Sequence, residues 1–266
     1  MITYLKKIVV KHFSQRVNII ATAKLHTGDR LRVDMSSSVG RSIWLRHLYK
    51  YEKDVEKVIR DILGKDDVFI DIGANVGYFS VIASRIVGEN GNVYSLEAIS
   101  KLCSLLSESI AMNDIRNINV LNNAAYSENK KILFHSMKNS AFSSISKDNT
   151  SDNPIEVDAI TLDSLIDKVG KVDVMKIDVE GAEMDVFLGG EKSIRRYRPK
   201  IVMEVLDWSL QRFNYSSKDV LSFLRDIGYK VYDLKRNLIE SDRITNNYVN
   251  ILFVCDESFA PNTIEE

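Results

Sequence analysis

The stretch VFIDIGANVGYFS, from Val68 to Ser80, constrains this chain more than any other. An apolar run ends in an acid, a glycine-containing turn follows, and an apolar-periodic segment comes next, which is the pattern of a strand feeding a helix through a tight loop. Gly73 and Gly77 lack a Cβ, so the backbone there can take unusual dihedrals and a ligand can approach the following helix N-terminus. Asp71, at the C-terminal end of the strand, is placed to point into the crevice that open α/β sheets use for ligands. The glycines are spaced G-x-x-x-G, unlike the dinucleotide pattern G-x-G-x-x-G, and the Lys-Ser/Thr pair of a phosphate-binding loop is absent. A neutral loop preceded by an acid suits a ligand with an ammonium rather than a pyrophosphate, and so points to a methionine-derived cofactor. The plainer alternative is a turn that merely lets strand and helix pack.

The 266 residues are 45% hydrophobic, enough for one substantial core. A net charge of −1 gives no global field that would draw nucleic acid or an anionic membrane. Arg195, Arg196 and Arg198 read as solvated charges at a helix end. Cys103 and Cys255 lie far apart among apolar neighbours, with no disulfide or metal spacing. There is no run of 18 apolar residues, so no transmembrane span is expected. The first segment, MITYLKKIVVKHF, lacks the apolar length and cleavage site of a signal peptide. A short core-capping helix is expected there, with a surface amphipathic helix as the alternative, and the location expected is cytoplasmic.

Along the chain, Val17 to Val33 alternates around HTGD and predicts a β-hairpin. A small-residue loop, Ser36 to Gly40, precedes a predicted helix over Ile43 to Leu63. Strands and helices then alternate: a helix from Tyr78 to Val87, a strand from Asn92 to Leu96, a helix N-capped by Ser100, and a strand from Ile118 to Leu121. Lys130 to Pro154 breaks the rhythm with KKILFH, an extra strand, and a Ser/Asn/Asp-rich stretch that is either a substrate lid or a plain mobile loop. After a Thr161-capped helix come a strand from Val172 to Ile177, a helix from Ala182 to Leu188, a strand from Lys200 to Val205, and a helix capped by Ser216 or Ser217. Tyr229 to Leu234 and Val249 to Cys255 predict an antiparallel edge pair. The fold expected is α/β, a Rossmann-like sandwich with a mostly parallel, doubly wound sheet. Residues 1–50 form an N-terminal extension in this scheme, and residues 51–266 form the main domain.

Two further strand ends carry chemistry. Glu97 lies twenty residues after Gly77, where an acid can accept hydrogen bonds from both hydroxyls of a ribose. KIDVEGAE, Lys176 to Glu183, packs charges into a strand-to-helix turn, which is costly unless they are paired or solvated in a cleft. Asp178 would face the same crevice as Asp71 and Glu97, and Lys176 could pair with a carboxylate inside the strand layer. Glu180 and Glu183 fit a capping role near the helix N-terminus at least as well as a catalytic one.

VFIDIGANVGYFS, Glu97, KIDVEGAE, the following RPKIVMEVLD and the upstream YKYEKDVEKVIRD together resemble the FkbM-family S-adenosylmethionine-dependent methyltransferases, over about residues 30 to 235. The resemblance implies that Asp71, Gly73 and the neighbouring Asn75, Gly77 and Tyr78 hold the methionyl part of the cofactor. It also implies that Glu97 binds the ribose with Ala98 beside it, that Asn123 and Ala124 line the adenine, and that Asp178 borders the cofactor. It further implies O-methylation of a hydroxyl on a sugar, glycan or secondary metabolite.

Methyl transfer from a sulfonium needs positioning and, for an unactivated hydroxyl, a proton acceptor. Asp178 is the first candidate base and Glu204 the second. His135 is a weaker third, Glu52 a supporting residue, and His12, His26 and His47 show no partner pattern. Asp178, Glu180 and Glu204 offer oxygens of the kind magnesium accepts, but no metal is expected. The partner is a small-molecule or glycan acceptor, with a homodimer possible. A nicotinamide-dependent oxidoreductase could use the same crevice but has the wrong glycine spacing. A non-catalytic S-adenosylmethionine-binding protein would have no evident use for the carboxylates.

Overall fold

The structure is a computed structural model and describes residues 19–45, 52–136, 143–145, 154–240 and 249–255. The first segment, His12, His47, Tyr51 and most of the Ser-rich stretch lie outside the described residues, as does the side chain of His135.

The predicted hairpin pairs β1 (Ile20–Lys24) with β2 (Arg30–Asp34), Ile20 opposite Asp34. Two helices, α1 (Ser38–Trp44) and α2 (Lys53–Ile62), replace the single helix expected from Ile43, and residues 46–51 between them are not described. The loop expected at Ser36–Gly40 is a helix start: Ser37 Oγ accepts from Gly40 N at 2.9 Å, satisfying an otherwise orphaned amide. β3 (Val68–Ile72), α3 (Tyr78–Val87), β4 (Asn92–Leu96), α4 (Ser100–Met112) and β5 (Ile118–Leu121) follow as predicted. Ser100, however, is the first helical residue rather than the cap, and its hydroxyl is 2.6 Å from Asn122 Oδ1.

A second, four-stranded sheet comes next: β6 (Ala124–Ala125), β7 (Lys130–Ser136), β8 (Ser143–Ile145) and β9 (Ile155–Ile160), in the order β6-β9-β7-β8. The chain then returns through α5 (Leu162–Val169), β10 (Val174–Ile177), α6 (Glu183–Leu188), α7 (Glu191–Tyr197), β11 (Lys200–Val205), α8 (Asp207–Leu210), α9 (Ser217–Asp226), β12 (Lys230–Asp233) and β13 (Val249–Val254). Thr161 caps α5 as expected, and of the two serines it is Ser216 that caps α9, with Asp219 completing a capping box.

The seven-stranded main sheet runs β12-β13-β11-β10-β3-β4-β5. β11, β10, β3, β4 and β5 are parallel, and β13 and β12 form the antiparallel edge. The chain builds outward from β3 to β5 and then restarts on the other side of β3 with β10, so β3 and β10 flank the switch point where doubly wound sheets bind ligands. Alternation along β3 sends Phe69 into the core beneath α2, α3 and α4, and Ile70 and Ile72 into the core beneath α5, α6 and α9. Each of these fully buried side chains contributes about 1.5–3 kcal/mol of transfer free energy. Among the described residues no helix is long and apolar enough to cross a membrane.

The two loop glycines serve the chain's own packing. Gly73 has φ +77 and a Cβ there would overlap the Asp178 carbonyl oxygen, while a Cβ on Gly77, φ +82, would overlap the Leu106 side chain. Gly73→Ala is expected to cost more than the about 1–2 kcal/mol of left-handed strain alone, because the β3 and β10 loops must also separate. Thermal unfolding checks this; a melting temperature within a degree of the parent's would contradict it.

Candidate functional site

At the switch point the floor of the site is made by neighbouring strands. Lys176 on β10 is level with Asp71 on β3, which is level with Ser95 on β4. Asp71 is 1% exposed, so its carboxylate has to be satisfied inside the protein. Ser80 Oγ on α3 donates to Asp71 Oδ2 at 2.6 Å, and Ser95 Oγ donates to Ser80 Oγ at 2.8 Å. Asp71 Oδ1 has no hydrogen-bond partner among the described residues. Burial raises the Asp71 pKa, while Lys176 and Ser80 pull it down.

Lys176 reaches Asp178 Oδ2 at 3.0 Å and lies 5.0 Å from the centroid of the Phe79 ring. Burial works against its charge, but Asp178, Asp71 and Glu52 outweigh that and hold its pKa above the usual lysine range. Glu52 sits just before α2 and shares this environment: burial raises its pKa, Lys176 lowers it and Asp178 raises it. The predicted pairing of Lys176 within the strand layer is therefore present, and Glu52 belongs to the same cluster.

Above the floor, the amides of Gly73 and Ala74 donate to the Leu96 carbonyl, both at 3.0 Å. Glu97, 7% exposed, accepts from Asn75 N and Ile99 N, both at 2.8 Å. Burial pushes its pKa up to about 7, against the pull of those amides and with the Asp71 and Asp178 charges adding to the rise. A carboxylate has about four acceptor positions, so Glu97 keeps capacity for further donors. Asn122 Nδ2 donates to the carbonyls of Glu97 and Ala98, both at 2.9 Å. Asn123 instead donates to the Asp158 carbonyl at 3.2 Å, and Ala124 is buried in β6 opposite Ala159.

Asp178, Glu180 and Glu204 form the third part, each offering an oxygen within 4.8 Å of the others. Glu180 departs from the capping role: it has φ +56, and its Oε2 is buried without a hydrogen-bond partner among the described residues. Burial first, then the charges of Asp178, Glu204 and Glu183, push its pKa up to about 9. Glu183, the first residue of α6, does not cap the helix: it takes the amide of Gly181 ahead of it at 3.1 Å, and burial lifts its pKa to about 7. Gly181, φ +112, brings this turn so close to the Ser209 carbonyl that a Cβ would overlap it, which seats the loop on α8. Chemically, the trio can hold a proton or a hard divalent cation, and it can accept a proton from a hydroxyl.

The structure thus brings Asp71, Glu97, Asp178 and Glu204 to one end of one sheet, with the glycine loop between them. It also brings in Ser80, Ser95, Asn122 and Glu56, which the sequence did not single out. A serine inside the apolar run of α3 was a readable sign, since a buried hydroxyl needs a partner. Asn122 carried no local sign, because its partners lie 25 and 24 residues away. The unpartnered oxygen of Asp71 suits an ammonium and the spare acceptor positions of Glu97 suit a diol, so the residues present fit S-adenosylmethionine.

The family model of the methyltransferase FkbM domain matches residues 71–231, more than half of the 266. The chain belongs to that family, a family of S-adenosylmethionine-dependent methyltransferases. No curated protein matches it. Among solved structures it is similar to the methyltransferase FkbM from Methylobacillus flagellatus KT, at 16% identity and a TM-score of 0.48, covering 71% of this chain and 44% of that one. It is also similar to a SAM-dependent methyltransferase from Aquifex aeolicus, at 15% identity and a TM-score of 0.44, covering 75% and 87%. A third similar structure is precorrin-6y C5,15-methyltransferase from Geobacter metallireducens GS-15, at 16% identity and a TM-score of 0.45, covering 76% and 87%. This chain spans less than half the length of the first of these proteins.

The raised carboxyls set a direction for stability against pH. Glu97, Glu183 and Glu180 keep their protons in the folded protein at pH values where an unfolded glutamate, at 4.5, has released its own. The folded state then binds more protons, so stability is full below about 4.5 and falls as pH rises through about 7 and about 9. The melting temperature of the apo protein is expected to fall between pH 5 and 9, and Glu180→Gln to flatten the upper part of that fall. A melting temperature that rises over this range would contradict the assignment.

Proposed function

We propose that the protein transfers a methyl group to a hydroxyl oxygen of a sugar, glycan or secondary metabolite, with residues 51–266 as the catalytic domain and 1–50 as an extension. The observation that carries this reading is the carboxylate trio beside Lys176 at the switch point. Bound S-adenosylmethionine supplies a methyl group activated by its sulfonium. Asp71 and the Gly73–Tyr78 loop hold the methionyl part, Glu97 receives the ribose hydroxyls, and Ala98 and the Asn123–Ala124 turn border the adenine.

On the acceptor side, Asp178 positions the hydroxyl and takes its proton, with Lys176 fixing the Asp178 carboxylate. Glu204 is the second acceptor for that proton. Glu180, protonated up to about pH 9, is the poorest base of the three and can instead donate a hydrogen bond. The reading needs no metal, since Lys176 and the proton on Glu180 already offset the carboxylate charge. It also places the enzyme in the cytoplasm, acting on small molecules or glycans rather than nucleic acid.

Calorimetry should show S-adenosylhomocysteine binding to the wild-type chain, weakened about tenfold or more by Asp71→Ala or Glu97→Ala, as loss of hydrogen bonds to charged groups implies. Asp178→Asn should lower turnover of a hydroxylated acceptor by about 10²-fold or more, the usual scale of general-base catalysis. Treatment with EDTA should leave turnover unchanged. Absence of binding would overturn the cofactor site; binding without transfer to any hydroxyl acceptor would favour a non-catalytic binding protein.

A further inference from the structure

The family match begins at residue 71, yet a buried polar network ties the cofactor loop to elements that precede it. Tyr78 is the first residue of α3, immediately after the left-handed Gly77, and is 6% exposed. Its phenol donates to Glu56 Oε2 at 2.9 Å. Glu56, 4% exposed, lies on the buried face of α2 beside Val55 and Ile59. Its other oxygen takes Arg60 Nε at 2.6 Å and lies 3.0 Å from Nε2 of His26, in the turn of the β1–β2 hairpin.

A carboxylate at this position is expensive: a buried ion pair is often no more stable than apolar residues of the same volume, so stability alone does not explain it. The phenol is equally unneeded for packing, because the ring edge-on to Phe79, with centroids 5.1 Å apart, would be filled as well by phenylalanine. What the pair does supply is a fixed position for the start of α3. Among the described residues, the hydrogen bonds of the loop to Glu97 and to the Leu96 carbonyl come from the β4 side. The bond from Tyr78 to Glu56 ties the loop's end to α2 instead. Glu52, four residues before Glu56, faces Lys176 and Asp178 electrostatically, so one side of α2 addresses both the loop and the carboxylate floor.

We propose that Glu56 is a positioning residue for the cofactor loop: fixed by Arg60 and by His26 of the hairpin, it anchors Tyr78 and makes the hairpin and α2 part of the cofactor-binding unit. This rests on the reading that S-adenosylmethionine binds at the Gly73–Tyr78 loop. The test is calorimetric titration of S-adenosylhomocysteine into the full chain and its Tyr78→Phe, Glu56→Gln and His26→Ala variants, with circular dichroism confirming the fold. Tyr78→Phe and Glu56→Gln should each raise Kd about three- to tenfold, the scale of one hydrogen bond. The double variant should be no worse than the more affected single one, because both act through the same tie. His26→Ala should move Kd the same way by a smaller factor.

Should Glu56→Gln fail to fold, Tyr78→Phe, which keeps the ring, decides. A Tyr78→Phe variant with a lowered melting temperature but an unchanged Kd would make the network purely structural and overturn the proposal, leaving the cofactor site standing. A wild-type chain that does not bind S-adenosylhomocysteine would overturn both.

Discussion

Lys176 is an ammonium buried inside a parallel sheet, and the rest of the site is arranged around keeping it charged. Removing a charge from water costs several kcal/mol unless partners surround it. Here Asp178 lies on the same strand, Asp71 on the next strand at the same level, and Glu52 before the helix above. In return Lys176 pulls the pKa values of Asp71 and Glu52 down against burial, which still raises both. At Glu180, where burial and the charges of Asp178, Glu204 and Glu183 add up, the proton stays on up to about pH 9. One cation thus offsets the charge of part of the cluster, while Glu180 keeps its proton.

Much of this was legible in the sequence, for physical reasons. The alternation of apolar strands with periodic helices specifies a doubly wound sheet, and an acid at a strand end is necessarily close to acids at neighbouring strand ends. Asp71, Glu97 and Asp178 could be placed together from spacing alone, although they are up to 107 positions apart in the chain. What could not be read depends on side chains meeting across the fold. Glu180 read equally as a helix cap and as an oxygen ligand grouped with Asp178 and Glu204, and only the fold, which brings the three within 4.8 Å, decides for the trio. Ser100 looked like an N-cap, but Glu97 Oε1 receives the Ile99 amide at the mouth of α4, so the serine is released to Asn122. The helix expected over Ile43–Leu63 was a failure of another kind, because its periodicity passes through a segment where two separate helices are seen.

The glycine loop changes meaning once its neighbours are known. From sequence, Gly73 and Gly77 suggested room for a ligand. In the fold, the space beside Gly73 is taken by the Asp178 carbonyl and that beside Gly77 by Leu106. The glycines therefore bring the three strand ends close together, and the ligand-binding capacity lies in what this proximity gathers: the unpartnered Asp71 oxygen, the spare acceptor positions of Glu97, and the trio.

The central claim is that cofactor and acceptor meet at the switch point between β3 and β10. Co-crystallisation with S-adenosylhomocysteine tests it most directly. The account predicts the ribose hydroxyls on Glu97, the amino group on the Asp71 side of the loop, and the sulfur facing Asp178 and Glu204. Density for the ligand elsewhere, for instance in the surface groove lined by Asp163, Leu188 and Arg195, with the strand ends bare, would contradict it.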